Sequence, residues 1–111
     1  MKKLTVADVT WTLRPEPEDC SVRGNALASG DDEQDKACED NIIRELDNGN
    51  EWAWCCAVLT GRYKGLKAVE TLGCCSYASE ADFRQPGGYF DDMQASVLAD
   101  LQAQLEDICA V

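Results

Sequence analysis

Glu51-Trp52-Ala53-Trp54-Cys55-Cys56-Ala57-Val58-Leu59 and Leu66-Lys67-Ala68-Val69-Glu70-Thr71-Leu72-Gly73-Cys74-Cys75-Ser76-Tyr77 decide the fold. Both runs are rich in β-formers, and Gly61-Arg62-Tyr63-Lys64-Gly65 between them supplies turn chemistry, so the stretch reads as a β-hairpin. Trp52, Trp54, Cys56 and Val58 share one face of the first run; Ala53, Cys55, Ala57 and Leu59 share the other. With both faces mainly apolar, this run is expected to be a central strand. A loop centred on Gly65 would set Cys55 opposite Cys75 and Cys56 opposite Cys74.

Working outward toward the N-terminus, Asn48-Gly49 is a helix stop. Before it, Cys38, Ile42 and Leu46 recur at helical spacing, with Ile43 beside them. Ser29 or Asp31 opens this helix, and acids fill its first turn, favourably against the helix dipole. Residues 18–30 read as a long irregular loop, which Val22, Ala26 and Leu27 would pin to the core. Val9-Thr10-Trp11-Thr12-Leu13 alternates as a strand, which Arg14-Pro15-Glu16-Pro17 is expected to end. Leu4 and Val6 are in the opposite phase, so a bulge or bend is expected near Ala7-Asp8.

Toward the C-terminus, Ser79-Glu80-Ala81-Asp82 resembles a capping box for one short helical turn, broken by Pro86-Gly87-Gly88. Phe90, Met93, Val97, Leu98, Leu101, Leu105 and Ile108 then keep a 3.6-residue period, which predicts a helix over 89–109. The order is β-α-β-β-α. The expected architecture is α+β, a three-stranded antiparallel sheet with two helices packed on one face, in a single domain over residues 1–111.

The chain has 111 residues and no histidine. That closes off Ser-His-Asp and Cys-His nucleophiles, histidine general bases and histidine metal sites, and argues against an enzyme. The longest apolar run, Trp52 to Leu59, is far below the ~20 residues that cross a bilayer. The N-terminal stretch has a basic beginning but no apolar core of a signal peptide, so a cytoplasmic protein is expected. Seven cysteines, an odd number, then read as mostly reduced thiols. No Cys-x-x-Cys spacing occurs, and neighbouring strand residues point to opposite faces, so the two doublets are not expected to converge on a metal. The expectation is no cofactor and no metal. Asp31-Asp32-Glu33-Gln34-Asp35 lacks the central glycine and the spacing of a calcium loop.

The net charge of −11 is unevenly spread along the chain. Residues 31–47 carry eight acids against Lys36 and Arg44, and residues 80–111 carry seven acids against Arg84. Both segments read as helices. Such a surface repels nucleic acid and anionic membranes and attracts basic protein grooves, while the same acidity also serves solubility. Asp31, Asp32, Glu33, Asp35, Glu39, Asp40, Asp91, Asp92 and Asp100 are the candidate partner-binding acids. If both helices cover one sheet face, the other is open. Trp52 and Trp54, with Tyr63 and Tyr77 near the ends, are then a candidate homodimer face.

Five stretches carry a resemblance. They are Val22-Arg23-Gly24-Asn25-Ala26-Leu27-Ala28-Ser29-Gly30-Asp31, then Trp52-Ala53-Trp54, then Leu72-Gly73-Cys74-Cys75-Ser76-Tyr77 with Glu80-Ala81-Asp82-Phe83 and Gly87-Gly88-Tyr89-Phe90-Asp91-Asp92-Met93. In these the chain resembles a group of small acidic, mostly uncharacterised proteins of phages, plasmids and other bacterial mobile elements. Anti-CRISPR and anti-restriction proteins of that kind often occupy a nucleic-acid site through acidic residues. The resemblance implies an acidic protein-binding inhibitor, a DNA mimic, of a host nucleic-acid-binding defence complex. It implies a basic protein or nucleoprotein partner, with no direct nucleic-acid or membrane binding. The alternative is a small structural or regulatory homodimer without mimicry.

Overall fold

The tightest local constraint in the chain is the Lys64-Gly65 pair. Both residues have positive φ, 46° and 86°. Positive φ at both central positions is the requirement of the type I′ turn, whose twist matches that of paired strands. The computed structural model describes residues 2–26 and 29–109 and shows the hairpin this turn closes. Strand β2 is Cys55–Tyr63 and strand β3 is Leu66–Cys75. The turn has two residues, so its centre lies between Lys64 and Gly65 and Tyr63 faces Leu66 there. That is one position off the register expected from a loop centred on Gly65.

Strand β1, Thr10–Pro17, completes a three-stranded antiparallel sheet in the order β1-β2-β3. The hairpin's first strand is central, as its two apolar faces suggest. β1 was expected to stop before Pro15, yet it runs through Pro15 and Pro17. The reason is topological: β1 is an edge, and an edge strand tolerates residues without an N–H. The bend expected near Ala7-Asp8 is a 3-10 turn over Val6–Asp8, held by the Asp8 carboxylate accepting the Thr5 N–H at 2.9 Å.

Helix α1 is Asp32–Asp47, α2 is Glu80–Phe83 and α3 is Tyr89–Cys109. Asp31 caps α1, accepting the Glu33 and Gln34 N–H groups. Ser79 Oγ accepts the Asp82 N–H at the start of α2. The Asp82 carboxylate reaches Ala78 N, one residue before the position an ordinary capping box would take. The first run of the hairpin starts later than expected. Glu51–Ala53 forms a 3-10 turn, because the Asn50 side chain accepts the Trp52 N–H and caps it.

The elements group into two compact units. The first comprises Met1–Arg14, Val58–Thr71 and Arg84–Val111. Its core includes Leu4, Val9, Leu59, Ala68, Phe90, Met93, Val97 and Leu101. Four of the periodic residues of α3 are buried here, while Ile108 is 57% exposed in the last turn. Helix α3 approaches β2 at Gly61, where an added Cβ would lie 2.7 Å from Val97 Cγ1 and 3.1 Å from Val9 Cγ1. A side chain there would force Val97 and Val9 to shift. Ser96 Oγ donates to Glu70 and Gln104 Nε2 to the Lys67 carbonyl, fixing α3 along β3.

The second unit comprises Pro15–Ala57 and Leu72–Phe83. Its core joins Val22 of the loop, Ile42 of α1, Ala53 and Trp54, with Cys20, Ala26, Cys38, Ile43 and Leu46 packed around them. The stripe expected on α1 is therefore the buried face, and Val22 and Ala26 do pin the loop. Leu27, the third residue expected to do so, lies outside the described residues.

Candidate functional site

Grouping the titratable side chains by unit, instead of along the chain, changes the electrostatic picture. The first unit holds seven acids and seven bases. The second holds fourteen acids against Arg23, Lys36 and Arg44, so it carries the whole −11 of the protein. Asp91, Asp92 and Asp100 of α3 belong to the balanced unit. They share it with Arg62, Lys64 and Lys67 of the hairpin and with Lys2, Lys3 and Arg14.

The candidate acids on α1 divide into exposed and committed groups. Asp32 and Glu33 are exposed. Asp31 is exposed too, but its carboxylate is the helix cap. Asp35 accepts the Ser29 Oγ hydrogen at 2.7 Å and its N–H at 3.1 Å, tying the loop to the helix. Glu39 corrects the expectation: it is 8% exposed and turned inward. It accepts Arg23 Nη1 at 3.1 Å and the Gly24 N–H at 2.7 Å. Asp40 is half-buried and takes Arg23 Nη2 together with Lys36 Nζ, the latter at 2.9 Å. Lys36 and Arg23 hold its carboxyl below the ordinary carboxylate value. Arg23 thus clamps the long loop onto α1 and withdraws two candidate acids from any partner. Sequence reasoning missed this because Arg23 is distant in the chain and its spacing to Glu39 carries no helical signal.

Exposed acids absent from the candidate set lie in the same unit: Asp19, Glu45, Asp47, Glu51, Glu80 and Asp82. A cleft of about 230 Å³ opens among them, lined by Pro15, Glu16, Pro17, Glu18, Leu46, Glu51 and Trp54. It combines an apolar wall with three carboxyl groups, the chemistry that receives the aliphatic stem and charged head of a lysine or arginine. Of α3's candidates, Asp91 accepts the Gly87 N–H at 2.8 Å and Asp100 meets Gln104 Nε2 at 3.5 Å. Asp92 is exposed beside Gly87, Gly88 and Tyr89.

The candidate homodimer face is corrected as well. Trp52 and Trp54 are 8% and 7% exposed. Trp52 stacks on Phe83 with centroids 5.1 Å apart, and Tyr77 meets Phe83 edge-on at 4.9 Å. Trp54 Nε1 donates to the Cys20 carbonyl at 2.9 Å. Tyr63 is half-buried under Lys64. The 3-10 turn removes Trp52 and Trp54 from the strand, and the two indoles are core residues.

The thiols are all free. Burial pushes Cys55 up to about 12 and raises Cys56 and Cys75 as well. Cys74 is different. It is exposed, its φ is +55°, and its sulfur lies 3.2 Å from Cys20 Sγ. The bond to Cys74 pushes the Cys20 thiol up to about 11.

No helix among the described residues is long and apolar enough to cross a membrane. No protein-family model, curated protein or solved structure matches the chain.

Proposed function

We propose that this chain is an acidic protein-binding inhibitor that acts by contact, without chemistry, on a nucleic-acid-binding defence complex of a bacterial host, within the cytoplasm. The reading is of the anti-CRISPR or anti-restriction kind. Acids of the second unit compete with nucleic-acid phosphates for the lysines and arginines of the target. The observation that supports it is the segregation of charge: one unit holds the entire excess of −11. Such a unit is attracted to a basic groove at long range, and the attraction falls with salt.

The proposed contact set keeps Asp32 and Glu33 of the sequence candidates and adds acids of the same unit. Asp32, Glu33, Glu45 and Asp47 supply exposed charge along α1, and the cleft at Glu16, Glu18 and Glu51 receives a basic side chain. Glu39 and Asp40 serve the fold. A tagged full-length chain incubated with bacterial lysate at low salt is expected to retain a nucleic-acid-binding complex, identified by mass spectrometry. High salt or added DNA is expected to release it. Retention that survives both would exclude phosphate mimicry, and recovery of the bait alone would favour a self-associating module.

A further inference from the structure

We infer that Glu18, Cys20 and Cys74 form a three-ligand site for a thiophilic divalent cation of the zinc class. Their ligand atoms all lie within 4.8 Å of one another, with the two sulfurs 3.2 Å apart. Two sulfurs and one carboxylate oxygen select zinc-like ions over calcium or magnesium, which demand oxygen. Zinc–sulfur bonds of about 2.3 Å put the sulfurs of a tetrahedral site a little under 4 Å apart. The pair therefore has to open by only about half an ångström. A disulfide requires the opposite movement, closure by more than about 1 Å to an S–S bond of about 2.05 Å.

Each ligand is held from behind. Glu18 Oε2 accepts the Cys74 N–H at 2.6 Å, and its Oε1 accepts the Asp19 N–H at 3.0 Å. The Cys20 carbonyl takes the Trp54 indole hydrogen. Cys74 holds a positive φ, which is strained for a non-glycine residue and which gathers at functional positions. Gly73 beside it leaves room for the carboxylate: a Cβ there would lie 3.0 Å from Glu18 Oε2. Outer hydrogen bonds of this type orient metal ligands.

Charge points the same way. Two thiolates and a carboxylate at one place, inside the unit that carries −11, are mutually repulsive until a cation joins them. A divalent ion displaces one proton from each thiol and leaves the site at a net −1. Three protein ligands fill three tetrahedral positions. The fourth falls to water or to a donor atom of another molecule, on the exposed side that Cys74 occupies.

The test is titration of the full-length chain with cobalt(II) under a non-chelating phosphine reductant. Expected are a thiolate-to-cobalt charge-transfer band, tetrahedral visible bands saturating at about one equivalent, and release of about two protons per ion. Zinc should bleach the bands. Cys20→Ser and Cys74→Ser should each abolish the charge-transfer band, and Glu18→Gln should weaken affinity about tenfold. Cys109→Ser should change nothing. Because Cys20 lies in a loop, Cys20→Ser keeps the test valid even if Cys74→Ser alters the strand; circular dichroism reports both folds. The site is refuted by absence of the bands at micromolar metal, or by bands that survive Cys20→Ser. It is equally refuted if the unreduced protein is lighter by two hydrogen atoms with Cys20 joined to Cys74, an oxidation that a small disulfide such as oxidised glutathione would drive. The acidic-surface reading shares only Glu18 with this site and rests on the other exposed acids of the unit, so Cys20→Ser leaves it intact.

Discussion

Helices α1 and α3 look alike as sequence, yet the units that hold them differ. Residues 31–47 and 80–111 each carry an excess of six negative charges. Folding gives α3 company from Lys2, Lys3, Arg14, Arg62, Lys64 and Lys67, and its unit balances at seven acids and seven bases. The unit of α1 gathers Glu16, Glu18, Asp19, Glu51, Glu80 and Asp82 instead, and reaches fourteen acids against three bases. Opposite charges within a Debye length, about 8–10 Å, cancel at a distance, so only the second unit projects a strong field. Charge runs along a chain thus say little about surface potential until the fold assigns their neighbours. The units also differ in how they are held. The balanced unit is closed by a tight apolar seam at Gly61, Val97 and Val9. The acidic unit relies on a polar clamp, Arg23 on Glu39 and Asp40.

The sharpest way to break this comparison is charge reversal matched between units. Changing Asp32, Glu33, Glu45 and Asp47 together to lysine should weaken retention of the target complex by on the order of a hundredfold. The same change at Asp91, Asp92, Asp100 and Glu106 should move it by less than about threefold. Equal losses from the two sets, read in the same pull-down or by surface binding, would end the claim that one unit carries the function.

Core truncation sharpens the structural half. Leu101 is 0% exposed in the balanced unit and Ile42 is 6% exposed in the acidic one. Leu101→Ala should cost about 3–5 kcal/mol and Ile42→Ala about 2–3 kcal/mol, measured by urea unfolding. The reverse order would mean that the acidic unit has the tighter core.

The clamp predicts a smaller effect. Arg23→Ala leaves the inward-facing Glu39 carboxylate on the Gly24 N–H without its guanidinium partner, and should lower the urea midpoint of unfolding by less than either core truncation. Adding Glu39→Gln removes the uncompensated charge, so the double variant should lose less than the sum of the single ones.

The smallest effects are in pH. Lys36 and Arg23 lower the Asp40 pKa, so the folded form holds its proton less tightly than the unfolded chain. Its contribution is therefore present above the ordinary value of 3.8 and is lost as pH falls through the lowered pKa. The Cys55 pKa is raised from 9.0 to about 12, so the sign is opposite: stability is full below 9.0 and declines as pH rises toward 12. Denaturant midpoints across both windows check the two signs, and Asp40→Asn should flatten the acid limb alone.

Much of the fold was legible because local chemistry and global packing agreed. The period of Phe90 to Ile108 needed no tertiary information, and the start of α1 was narrowed to Ser29 or Asp31, of which Asp31 is the cap. Lys64-Gly65 was harder, since a lysine at positive φ is not the usual marker of a two-residue turn. Trp52-Ala53-Trp54 misled because its alternation fits a strand, while the Asn50 cap bends it into a 3-10 turn. Pro15 and Pro17 misled for another reason: whether a strand is an edge depends on what pairs with it. The site was less legible still. Arg23 with Glu39, and Cys20 with Cys74, meet only through folding, and no sequence spacing announces them.

The prolines of β1 have one last consequence. An uncovered strand edge is a row of donors and acceptors onto which another polypeptide can add itself, sheet upon sheet. Pro15 and Pro17 are two apart, so the N–H groups they lack fall on the same side of the strand. On an edge strand that side faces away from β2. A copy approaching along these residues finds no hydrogens to accept and two pyrrolidine rings in its path. Growth by strand addition is therefore blocked at that edge, whatever the concentration of the chain.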